Sequence, residues 1–63
     1  MEKVILNLSG LDGNAYSLIE AFRANAKKQG WSKEAIDKVI TDCKSSDYNH
    51  LLCVLMDNIE EED

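Results

Sequence analysis

Residues 21–33 place Arg23, Lys27, Lys28 and Lys33 on a stretch with no acidic side chain, a local charge of +4. Arg23 is the only arginine, and its spacing of four from Lys27 puts both on one face of a helix. Tyr16, Phe22 and Trp31 lie beside them and offer aromatic surfaces on which a base can stack. Cations beside rings describe a site for a small anion that carries a ring, such as a nucleotide. The same residues also have ordinary structural uses. Lys27 and Lys28 sit where positive charge favours a helix C-terminus, and Phe22 and Trp31 have the size of core anchors.

A second constellation is the turn Gly10-Leu11-Asp12-Gly13-Asn14, set between a strand and a helix start. Backbone N–H groups at a helix N-terminus suit an anion, and glycines let a backbone approach a ligand closely. Neither a dinucleotide fingerprint nor a phosphate loop with its lysine is present. A strand-to-helix turn needs permissive residues on its own account, and Asp12 repels an anion unless it turns inward to cap. His50, Cys53 and Asp57 fall on one helix face, and each type can bind zinc. A structural zinc site needs four ligands, though, and no second cluster supplies the rest. Asp47-Tyr48-Asn49-His50 holds acid–base residue types without a nucleophile and its orienting partner, while Ser45 and Ser46 read as capping residues. No catalytic set, metal site or cofactor is expected, and so no enzyme.

These residues need elements to position them. In the segment from Glu2 to Ser9, Val4, Leu6 and Leu8 share one face, which predicts a short strand stopped by Gly10. No second strand is expected. The first strand then packs as an isolated arm or pairs with a strand of another chain. Ala15, Leu18, Ile19, Phe22 and Ala26 recur at helical spacing through about Gln29, behind a cap at Asp12 or Asn14. Gly30 fits the position just past that helix, with Trp31 folding back onto its last turn. Ser32 caps a second helix striped by Ala35, Ile36, Val39, Ile40 and Cys43. Lys44-Ser45-Ser46-Asp47 closes it and caps a third, which carries Tyr48, Leu51, Leu52, Leu55, Met56 and Ile59. The expected fold is therefore mostly α, one strand then three helices (βααα), as a single domain over residues 1–59 with an acidic, disordered tail over residues 60–63.

The third helix contains Leu51-Leu52-Cys53-Val54-Leu55-Met56, apolar all round. It is either a central helix sandwiched by the rest of the chain or one whose far side packs on another subunit. Length favours the subunit, because 63 residues bury too little surface for much stability alone. A cleft walled on all sides is likewise beyond so short a chain. The net charge of −5 disfavours grip on a nucleic-acid backbone. Yet Asp57 and the last four residues hold five of the twelve acidic groups, so residues 1–56 balance at zero. Two cysteines are too few for a disulfide framework, and no leader-like opening or membrane-length apolar run is present. A reduced cytosolic setting is expected.

The runs Leu8-Ser9-Gly10-Leu11-Asp12-Gly13-Asn14-Ala15-Tyr16, Gly30-Trp31-Ser32-Lys33-Glu34-Ala35-Ile36-Asp37 and Ser46-Asp47-Tyr48-Asn49-His50-Leu51-Leu52 resemble a group of very small phage-encoded proteins. The likeness covers most of the chain, from residue 8 to residue 57. That group is similar to the phage sponge proteins, oligomers that sequester cyclic nucleotide signals of bacterial anti-phage defence. The resemblance implies binding without hydrolysis in the host cytosol, by a dimer or tetramer with pockets between subunits. Carried onto this chain, it implies ligand contacts from Asp12, Gly13, Asn14, Tyr16 and Arg23, with Trp31 and His50 beside them. The implied partners are further copies of the chain and a small anionic nucleotide, with neither membrane nor long nucleic acid. Two other functions fit the sequence. One is an inhibitor that binds a host protein through the acidic tail or the apolar helix. The other is a DNA binder of the dimeric ribbon-helix-helix layout, from which a third long helix and a strand poor in basic residues depart.

Overall fold

A computed structural model describes residues 3–7 and 13–60. The element order is β1 (Val4–Ile5), α1 (Ala15–Lys28), α2 (Lys33–Cys43), α3 (Tyr48–Asn58) and β2 (Ile59–Glu60). The expected strand followed by three helices is present, and one element was not foreseen. β2 pairs in parallel with β1, Val4 opposite Ile59 and Ile5 opposite Glu60. The strand is therefore neither an isolated arm nor, on this edge, open to another chain. Ile59 belongs to β2 rather than to the third helix, and Glu60, assigned to the tail, is the last residue of the pair; its carbonyl accepts from the Leu6 N–H at 3.1 Å. Residues 61–63 lie outside the described residues.

The other edge of β1 is closed in a different way. The Gln29 side chain accepts from the Ile5 N–H at 2.9 Å and donates to the Ile5 carbonyl at 2.8 Å. One amide thus does for Ile5 what a neighbouring strand would do, satisfying both backbone groups.

Each helix starts on the kind of residue its sequence calls for. Asn14, Ser32 and Asp47 are the N-caps, their side chains accepting from Tyr16, Ala35 and His50 N–H groups respectively. Asp12, the alternative cap for α1, lies outside the described residues. α1 ends as expected: Gly30 takes a positive φ of 90°, the Gly30 N–H donates to the Lys27 carbonyl, and the Trp31 N–H to that of Ala26. That pair of bonds reverses the chain and lays Trp31 back over α1.

The core gathers Val4 and Leu6 from the first strand segment, Leu18, Ile19, Phe22 and Ala26 from α1, Ile36, Ile40 and Cys43 from α2, and Leu51, Val54, Leu55 and Ile59. Leu8, expected on the strand face with Val4 and Leu6, lies outside the described residues. Apart from Val54, which was expected only as part of the apolar run, the core residues belong to the predicted stripes. Ala15, Ala35, Val39 and Leu52 lie at their half-buried margins, while Tyr48 and Met56 are exposed. Within one chain α3 is covered on one side only, with Cys53 and Met56 facing outward. Among the described residues no helix is long and apolar enough to cross a membrane.

Candidate functional site

The end of α1, the Gly30 reversal and the start of α2 together wall a cavity of about 430 Å³. Arg23 and Lys27 reach it from α1, Trp31 from the link, and Lys33, Ile36 and Asp37 from α2. Each has a local reason to be there. Arg23 and Lys27 are a helical turn apart, and Lys27 near the C-terminus of α1 complements the helix dipole. Trp31 is half-buried, its ring packed edge-on against Phe22 with centroids 5.5 Å apart and planes at 86°. That contact anchors the indole to a side chain with no exposure at all. Lys33 opens α2 directly after its Ser32 cap. Ile36 belongs to the core and supplies an apolar floor.

Three cations and one carboxylate leave a formal charge of +2 around the cavity. Arg23 is partly engaged, its Nη1 donating to Glu20 Oε1 at 2.7 Å. Both side chains are exposed, so this pair is worth at most about 1 kcal/mol and yields readily to another anion. Among the described residues Lys27, Lys33 and Asp37 form no ion pair. Cationic groups beside an indole and an aliphatic wall can hold an anion attached to a flat, apolar ring.

The other expected contact residues lie elsewhere. Gly13, Asn14 and Tyr16 stand at the start of α1, beside Tyr48. The Tyr48 hydroxyl donates to the Gly13 carbonyl at 2.6 Å, and Asn14 Oδ1 accepts from the Tyr16 N–H at 2.8 Å. The Tyr16 N–H is thus spent on the cap rather than offered to a ligand. Gly13 has no positive φ, and a Cβ there would meet nothing closer than the Tyr48 hydroxyl at 3.9 Å. The structure gives Gly13 no need for a missing side chain. Tyr16, Asp47, Tyr48 and Lys44 line a second hollow of about 360 Å³, floored by Cys43 and Leu51. Burial pushes the Cys43 thiol above its ordinary pKa, and neighbouring Asp42 adds to the effect, so the sulfur stays protonated and unreactive.

His50 belongs to a third place, the α2–α3 connection. Its Nε2 lies 3.0 Å from Asp42 Oδ1 and 3.3 Å from Ser45 Oγ. Serine, histidine and aspartate together invite comparison with a nucleophile relay, but both partners meet the same ring nitrogen. A relay needs the serine on one nitrogen and the carboxylate on the other. Ser45 Oγ also donates to the Asp42 carbonyl at 2.7 Å, the capping use expected of it. Among the described residues no three His, Cys, Asp or Glu side chains gather as a metal site.

Of the expected contacts, then, Arg23 and Trp31 come together, while Gly13, Asn14, Tyr16 and His50 do not join them, and Asp12 lies outside the described residues. Lys27 and Lys33 stood in the charge island, Lys27 on one helix face with Arg23, but neither was among the expected ligand contacts. Ile36 was assigned to the core, and nothing in the sequence marked Asp37. No family model matches the chain, and no curated protein or solved structure matches it.

Proposed function

We propose that this protein is a non-catalytic binder of a small anionic nucleotide, held in the cavity between α1 and α2. The carrying observation is that Arg23, Lys27 and Lys33 surround the same 430 Å³ hollow as the chain's single tryptophan. Phosphate charge meets the cations, and the base stacks on the indole. The cavity is not fully enclosed, and α3 leaves Cys53 and Met56 uncovered. Both features support an oligomer in which further copies complete the enclosure. On this reading the chain sequesters a cyclic nucleotide signal of bacterial anti-phage defence in the host cytosol, leaving it intact.

Isothermal titration against a panel of cyclic di- and trinucleotides, with sedimentation to fix the oligomeric state, tests the proposal. At least one member binds, is recovered unchanged after the complex is heated, and binds about tenfold or more weakly to Arg23→Gln, since a bond to a charged group is worth about 1.5–3 kcal/mol. Absence of heat across the panel ends the proposal. The uncovered face of α3 also favours a second function, inhibition of a host protein. Recovery of a stoichiometric host partner from infected cells, with no nucleotide bound, identifies that alternative.

A further inference from the structure

Asp37 is the odd member of the cavity. An ionised carboxylate among groups arranged for an anion lowers affinity for that anion by repulsion. Asp37 is exposed and makes no ion pair among the described residues, although Lys33 stands one helical turn before it. Among the described residues no hydrogen bond or ion pair engages its carboxylate. A carboxylate accepts hydrogen bonds and donates none, so it suits a ligand whose ring presents N–H donors.

We infer that Asp37 reads the base of the bound nucleotide and selects guanine. Guanine places two adjacent N–H donors, N1–H and the exocyclic N2–H, on one edge, and a carboxylate can accept both at once. Adenine offers a single amino group flanked by ring nitrogens that are themselves acceptors and are repelled by the carboxylate. Cytosine has the same mixed edge, and uracil sets one donor between two carbonyls. The arrangement this requires sets the ring over Trp31, the phosphate toward Arg23 and Lys27, and the donor edge toward Asp37, which stands one turn beyond Lys33 on the same face of α2. The inference rests on the nucleotide-binding reading above and adds the identity of the base.

The test uses the full chain and three probes, 5′-GMP, 5′-IMP and 5′-AMP. Inosine keeps N1–H and lacks the exocyclic amine. Trp31 is the only tryptophan, so its indole N–H gives one assignable resonance at the cavity, and its shift during titration reports binding at this place. The expected order is GMP, then IMP, then AMP, with GMP at least fivefold tighter than AMP. Asp37→Asn presents one donor and one acceptor, the pattern that matches adenine, so it erases or inverts the preference. Asp37 touches no core residue through a hydrogen bond or ion pair, and an unchanged circular dichroism spectrum confirms that the variant folds. Binding with equal affinities overturns the base assignment while leaving the cavity as a nucleotide site. A guanine preference that survives Asp37→Asn overturns the role of Asp37. An indole resonance unmoved by all three probes overturns the base assignment, and the cyclic nucleotide panel decides separately whether the cavity is a nucleotide site.

Discussion

Gly30 shows how a single residue sets the site. At φ 90° the backbone is in the left-handed region, yet a Cβ there would meet nothing within 4 Å. The requirement is conformational rather than steric. Gly30→Ala is therefore expected to cost about 1 kcal/mol, the ordinary penalty for an L side chain in that region. A lower urea midpoint with an unchanged slope is the expected result, since the surface buried on folding is the same. The variant also strains the two bonds that return Trp31 to α1, so on the proposed function nucleotide affinity should fall with stability. Gln29 carries comparable weight from an unremarkable position. Gln29→Ala removes both partners of Ile5 and leaves the pairing of β1 with β2 in place. Amide exchange at Ile5 should accelerate several-fold to tenfold, the worth of one ordinary hydrogen bond. The Leu6 amide, bonded to Glu60, should keep its protection.

Among the elements, those with local signals were legible and those defined by distant partners were not. Three amphipathic stripes, three polar N-caps and one C-terminal glycine marked α1, α2 and α3, because period and capping are properties of neighbouring residues. β2 has only two residues, too few for a period. In sequence Ile59 continues the stripe of α3, and Glu60 begins an acidic run. Only the exposed edge of β1 makes them a strand. The clamp on Ile5 was equally hidden, since Gln29 lies 24 residues away and nothing local distinguishes its amide. The cavity was half legible for the same reason. A run of cations beside Trp31 is a local feature, whereas Asp37 joins it only once α2 folds back against α1. Conversely, the glycine turn drew attention through its composition, but the bonds of Asn14 and Tyr48 account for its described part structurally.

At the scale of the molecule, the ends of the described chain hold each other. Ile59 is buried against a core that includes Val4, and Val4 has no exposed surface. Ile59→Ala removes apolar volume from that junction and should cost about 2–4 kcal/mol. A chain of this length has roughly 3–9 kcal/mol of stability in total. Thermal unfolding of the variant should therefore start far below that of the native chain, and on the proposed function a bound nucleotide should restore part of the loss by mass action. The charge distribution belongs to this scale too. The net −5 is concentrated at and beyond Asp57, while the cavity draws on the cationic stretch between Arg23 and Lys33. On the proposed function a small anion meets a locally positive place on an acidic protein, and a long polyanion meets repulsion elsewhere.

The parallel pairing of β1 with β2 has a consequence for synthesis. Val4 and Ile59 are partners 55 positions apart, so at about 5–20 residues per second the ribosome delivers the second strand several seconds after the first. Gln29 is delivered in about half that time. In the nascent chain the side-chain amide can occupy one edge of β1 before the other edge has a strand to receive. A newly made copy then exposes one open edge to its neighbours instead of two, at the stage when strand edges most readily join the wrong chain.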